Sequence, residues 1–137
     1  MVAAGIAAIA DQLAAEGDPD DRPRAALEAF VKLIVEQPAA ARMCLVESYA
    51  AGSPGIDQIQ EAIDGIIGLV RGATEQMSDR SAMPAELLRG IIGGLYQVIY
   101  GRLRERREAE LLDLVPGLWE WTMSFPPPHA RCAAPAG

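Results

Sequence analysis

The 137-residue chain is 50% hydrophobic and 23% charged, with a formal net charge of −7. That length suits one domain with a true core, and the apolar content excludes a disordered protein. Two cysteines and one histidine exclude a disulfide scaffold and a multi-histidine metal site within one chain. The acidic balance argues against non-specific nucleic-acid binding, which needs Lys and Arg against phosphate.

Helical periodicity dominates from the start. Val2, Ile6, Ile9 and Leu13 share one face of a first helix that Gly17-Asp18-Pro19 stops. Its pattern begins at the first residue without a capping Ser, Thr, Asp or Asn. We therefore expect this helix to continue upstream of Met1; a frayed first turn is the alternative. A second helix runs from about Arg22 to Glu36, with Leu27, Phe30, Val31, Ile34 and Val35 on its apolar side. Asp18, Asp20 and Asp21 offer caps at its start. Pro38 opens a third helix to about Ala51, with Met43, Val46 and Ala50 on one face and Leu45 and Tyr49 beside them. Gly52-Ser53-Pro54 is a break, with Ser53 as the expected cap and Pro54 as the expected first residue of a fourth helix. That helix extends to about Met77, with Ile56, Ile59, Ile63, Ile66, Ile67 and Val70 on its buried side.

Ser78 to Met83 reads as a polar loop. Pro84 opens a fifth helix to about Arg106, apolar over more than half its circumference and so expected to be buried on two sides. Gly90, Gly93, Gly94 and Gly101 each cost about 1 kcal/mol inside a helix relative to alanine, so close helix approach is expected there. A sixth helix spans about Ala109 to Ser124, with Pro116 either near its first turn or at a kink. The expected fold class is all-α, with about six helices over residues 1–125 and a disordered Pro/Ala-rich tail over 126–137. No strand signal and no internal repeat is present.

Several function classes drop out. No segment reaches the roughly 18 apolar residues of a membrane span, so no membrane partner is expected. The N-terminus lacks the basic region of a secretory signal. Cys44 and Cys132 read as reduced thiols, which points to the cytoplasm. His129 has no partner in the Pro-rich tail, and nothing forms a Ser-His-Asp or Cys-His constellation. Neither an enzyme nor a cofactor or metal is expected. Arg102, Arg104, Arg106 and Arg107 are interleaved with Glu105, Glu108 and Glu110. That mixture reads as a solvated helix end, and no direct nucleic-acid binding by this chain is expected.

The stretch from Gly93-Gly94-Leu95-Tyr96 through Arg106, followed by Ala109-Glu110-Leu111-Leu112 through Leu118, resembles the last two helices of TetR-type transcriptional regulators. The stretch Ala25 to Val31, then Glu36 to Arg42 and Leu45 to Gly52, is similar to that family's middle helices. The resemblance covers residues 1 to 125. It implies a C-terminal domain that binds a small hydrophobic or amphipathic effector and forms a homodimer through its last two helices, which build a four-helix bundle. In that family a helix-turn-helix head precedes this domain. The first helix would match the one that connects the two, so this chain is expected to lack that head.

On that resemblance, the effector-binding candidates are Phe30, Ile34, Met43, Val46 and Tyr49, with Ile63, Ile67, Leu95, Tyr96 and Ile99. Glu47 would favour a cationic ligand if buried; a solvated Glu47, or one paired with Arg42, is the alternative. The expected dimer face uses Leu87, Gly90, Ile91, Gly94 and Val98 of the fifth helix, and Leu111, Val115, Leu118, Trp119 and Thr122 of the sixth. Two functions follow as expectations. One is the effector-sensing and dimerisation domain of a TetR-type regulator. The other is a headless interaction protein that heterodimerises with a full-length regulator and modulates its DNA binding.

Overall fold

The computed structural model describes residues 2–77 and 83–125, which form an all-α bundle of six helices with no strand among them. Helix α1 is Val2–Ala14 and α2 is Arg22–Glu36. Helix α3 is continuous but changes register: Pro38–Arg42 is α-helical, Met43–Glu47 is a π turn, and Ser48–Ala50 is α-helical again. Helix α4 is Ser53–Thr74 and α5 is Ala85–Arg104. A 3₁₀ turn, Glu108–Glu110, leads into α6, Leu111–Met123. The expected tail with His129 and Cys132, and most of the expected Ser78–Met83 loop, lie outside the described residues.

The helix starts differ from expectation in instructive ways. Asp21 precedes α2 in a right-handed helical conformation and makes no capping bond through its side chain. Asp18 does the local work instead: its carboxylate accepts the Asp20 N–H at 3.0 Å, closing the turn that reverses the chain. Before α4 the cap is Gly52 rather than Ser53, because the backbone there has φ +79°, a conformation glycine adopts freely. Ser53 and Pro54 then fill the first two helical positions. Pro116 lies inside α6, past its first turn.

Helix α5 ends at Arg104, two residues before the expected Arg106. Arg107 N–H bonds the Arg102 carbonyl at 2.8 Å, and Arg106 N–H bonds the Leu103 carbonyl at 3.2 Å. This is the Schellman closure, which needs a left-handed residue, usually glycine. Here Arg106 supplies it at φ 59°. Arg106→Gly should therefore stabilise the protein by about 1 kcal/mol, read as a higher midpoint in urea at unchanged slope. The neighbouring arginines are matched by carboxylates. Arg107 lies 2.9 Å from Glu110 and 3.2 Å from Glu105, and Arg102 lies 3.4 Å from Glu110. The alternating charges thus pair at the helix end, as a solvated end should.

Three apolar clusters hold the bundle. Val31, Ile34, Ala41, Ile99, Leu103, Leu111 and Val115 join α2, α3, α5 and α6. Ile67, Met83, Leu88 and Ile91 join α4 to α5. Ile9, Leu13 and Ala26 join α1 to α2, with Ile66 and Val70 of α4 packed against them. Phe30 packs against both the first and the third cluster.

An ion pair braces α3 against the turn before α6. Arg42 Nη1 meets Glu108 Oε1 at 2.5 Å, with the two side chains only 19% and 15% exposed. Glu108's own backbone N–H, and then the Arg42 guanidinium, hold its carboxyl below the usual range, while burial works the other way. A carboxyl whose folded pKa is depressed contributes stability that is complete above its unfolded pKa and lost as pH falls through the lower folded value. Glu108→Gln should flatten that acid limb of stability. Urea unfolding between about pH 5 and 2 checks this; an unchanged slope with pH would contradict it.

Candidate functional site

The three clusters do not close on one another. Between them lies a cavity of about 160 Å³. Helix α2 contributes Ala26, Leu27 and Phe30, which follow the i, i+3, i+4 row of one face. Helix α4 contributes Ile59, Ile63, Ile66 and Val70, a similar row, with Thr74 below them. Helix α5 presents Leu88, Ile92, Leu95, Tyr96 and Ile99. Trp119, Thr122 and Met123 of α6, Val2 and Ile9 of α1, Leu45 of the π turn, Ile91 of α5, and Met77 and Met83 also line it. Among the described residues no charged side chain faces this space. A second groove, of about 400 Å³, lies outside between α1, α2 and α6 and carries Glu28 and Lys32.

The polar groups on the wall are few, and each hydroxyl is occupied. Tyr96 O–H donates to the Leu45 carbonyl at 2.8 Å. Thr74 O–H donates to the Arg71 carbonyl at 2.9 Å, and Thr122 O–H donates to the Leu118 carbonyl at 2.9 Å. Burial, with Tyr49 and Tyr100 close by, pushes the Tyr96 phenol upward, so it stays a neutral donor. Its bond to Leu45 falls within the π turn, where the wider i→i+5 register alters which carbonyls the helix itself uses. Ser48 O–H donates to the Cys44 carbonyl at 2.7 Å in the same turn. Tyr49 and Tyr100 meet edge to face at 5.6 Å beside it.

Of the ten effector candidates, Phe30, Ile63, Leu95, Tyr96 and Ile99 line the cavity. The other five lie elsewhere. Ile34 is fully enclosed in the first cluster, and Ile67 packs with Met83, Leu88 and Ile91. Val46 is half-buried against the first cluster. Met43, at 64% exposure, points to solvent, and Tyr49 is exposed beside Tyr100. Glu47 is exposed too, and Arg42 is engaged by Glu108 instead. A buried carboxylate for a cationic ligand is therefore not formed at Glu47. Leu45, Ile59, Ile66, Trp119 and Thr122 are wall residues outside the candidate set. The α4 row is legible in the periodicity; the α6 pair belongs to the expected dimer face.

The ten dimer-face candidates also divide. Ile91, Leu111 and Val115 are buried within this chain, and Trp119 and Thr122 line the cavity. Leu87 and Leu118 are half-buried, while Gly90 and Val98 are exposed. Gly94 is covered by a residue outside the set: a Cβ there would fall 2.7 Å from the Trp121 ring. Close approach thus explains Gly94. Gly90, Gly93 and Gly101 face open space. Trp121 also meets Phe125 edge to face at 5.2 Å and remains 41% exposed. The outer surface of α5 and α6 accordingly carries bare glycines, Val98 and Trp121.

Among the described residues no helix is long and apolar enough to cross a membrane. No protein-family model matches the chain, and no curated protein and no solved structure matches it.

Proposed function

We propose that this chain is the effector-sensing and dimerisation domain of a TetR-type transcriptional regulator. The observation that carries the reading is the apolar cavity between α2, α4 and α5, walled by Phe30, Ile63, Leu95, Tyr96 and Ile99. Ligand sites are typically concave and apolar with a few placed polar groups. The order of the similar segments along the chain, residues 25–52 and 93–118, supports the same reading. Such a regulator works in the cytoplasm, where a thiol such as Cys44 stays reduced.

An effector acts only through differential affinity for two arrangements. The cavity wall includes Leu45, whose carbonyl receives Tyr96, and Trp119 and Thr122 of α6. Filling the cavity would therefore bear on both the π turn and α6. Helix α6 and the glycine-bearing side of α5 are the surfaces proposed to meet the partner in a homodimer. Gly90, Gly93 and Gly101, open in the monomer, would let partner helices approach closely. An obligate interface of this kind buries about 2,000 Å² or more.

Two measurements test the proposal. A thermal-shift screen of small hydrophobic and amphipathic compounds should find some that raise Tm with concentration, because a native-state ligand stabilises by mass action. Light scattering at micromolar concentration should give a dimer, and Val98→Asp should shift it toward monomer. A screen with no stabilising compound would overturn effector binding, and a monomeric wild-type chain would overturn dimerisation.

A further inference from the structure

Resting on the reading of the cavity as a ligand site, we infer that its ligand is a neutral hydrocarbon about one aromatic ring in size, bearing at most one weakly polar group. Two independent observations lead there. The first is volume. The cavity is partly open and holds about 160 Å³, similar in volume to an engineered apolar cavity of about 150 Å³ that binds benzene. The second is the state of the hydroxyls. Tyr96, Thr74 and Thr122 have each already given their proton to a backbone carbonyl.

A carboxylate entering this space would find none of those three protons free. An ammonium would find no carboxylate, since no charged side chain among the described residues lines the wall. Burying an unpaired charge is costly, so the wall formed by the described residues disfavours either ion. The wall that the described residues build is thus almost wholly apolar, with Trp119 adding ring surface to it. The cavity therefore selects by charge as well as by size.

The test uses four compounds on one carbon frame: toluene, benzyl alcohol, benzoate and benzylammonium. Tm of the full chain is followed against concentration at neutral pH. Toluene and benzyl alcohol should raise Tm in a saturating way, and the two ions should bind more weakly by roughly two orders of magnitude or more. Benzoate or benzylammonium stabilising as well as toluene would overturn the inference. If all four fail, a larger neutral compound such as decanol separates the two claims. Stabilisation by decanol alone overturns the ring-sized class and leaves the ligand site standing; no stabilisation overturns both. Location is read separately in Trp121→Phe, which leaves Trp119 as the sole tryptophan. Iodobenzene should quench its fluorescence saturably, and toluene should compete. Linear, uncompeted quenching would place the binding elsewhere and overturn the inference.

Discussion

Leu103→Ala is expected to cost about 2–5 kcal/mol. Leu103 has no exposure and sits where α5 meets α2, α3 and α6, in the cluster with Val31, Ile34 and Leu111. Truncation removes its transfer energy and leaves a void that three helices must relax around. Urea unfolding should show a lower midpoint at unchanged slope, since the surface exposed on unfolding hardly changes. Leu112→Ala, one residue from Leu111 but 42% exposed, is the matched control and should cost well under about 1 kcal/mol. Equal losses at the two positions would mean that α6 does not pack on the face described.

Gly55→Ala carries the second large effect. An added Cβ would lie 2.0 Å from the Ser48 carbonyl oxygen and 2.9 Å from its carbon. The chain folds back on itself here, with Gly52 at φ +79° turning α3 into α4, and the obstacle is backbone. Backbone cannot swing aside as a side-chain tip can, so the α3–α4 corner must open, at a cost of about 3 kcal/mol. Two further glycines calibrate this. Gly94→Ala meets only the Trp121 ring, at 2.7 Å, and that side chain is partly exposed, so the loss should be smaller. Gly65→Ala, in open space within α4, should stabilise by about 0.5–1 kcal/mol through helix propensity. The predicted order of Tm is Gly65→Ala, then wild type, then Gly94→Ala, then Gly55→Ala. Any inversion of the two ends would contradict the corner geometry.

What the sequence made legible was mostly punctuation. Helix α2 runs from Arg22 to Glu36 as its apolar spacing predicts, because Asp-rich and Gln-Pro boundaries stop a helix locally. The π turn in α3 was not legible. Its Leu45 carbonyl is met by Tyr96, a residue 51 positions away, and no local pattern encodes that. Periodicity also identifies burial without distinguishing packed atoms from empty space. Phe30 and Ile34 are one helical turn apart and read alike, yet Ile34 is fully enclosed while Phe30 borders the cavity. Ile66 and Ile67 are adjacent, but the helical rotation between them sends Ile66 to the cavity and Ile67 into the α4–α5 packing. The α6 residues divided for the same reason. Leu111 and Val115 were needed inside this chain, and the exposed large aromatic is Trp121.

The central claim is that the space between α2, α4 and α5 takes up a small apolar molecule in solution. Isoleucine-methyl NMR of the labelled chain, titrated with benzyl alcohol, tests it most directly. Ile59, Ile63, Ile66 and Ile99 border the cavity, whereas Ile56 is exposed. The account predicts saturating shifts at these wall methyls, and at Ile9, Ile91 and Ile92, which also line the cavity, with a single dissociation constant and none at Ile56. Shifts that grow linearly without saturating, or that centre on Ile56, would contradict it.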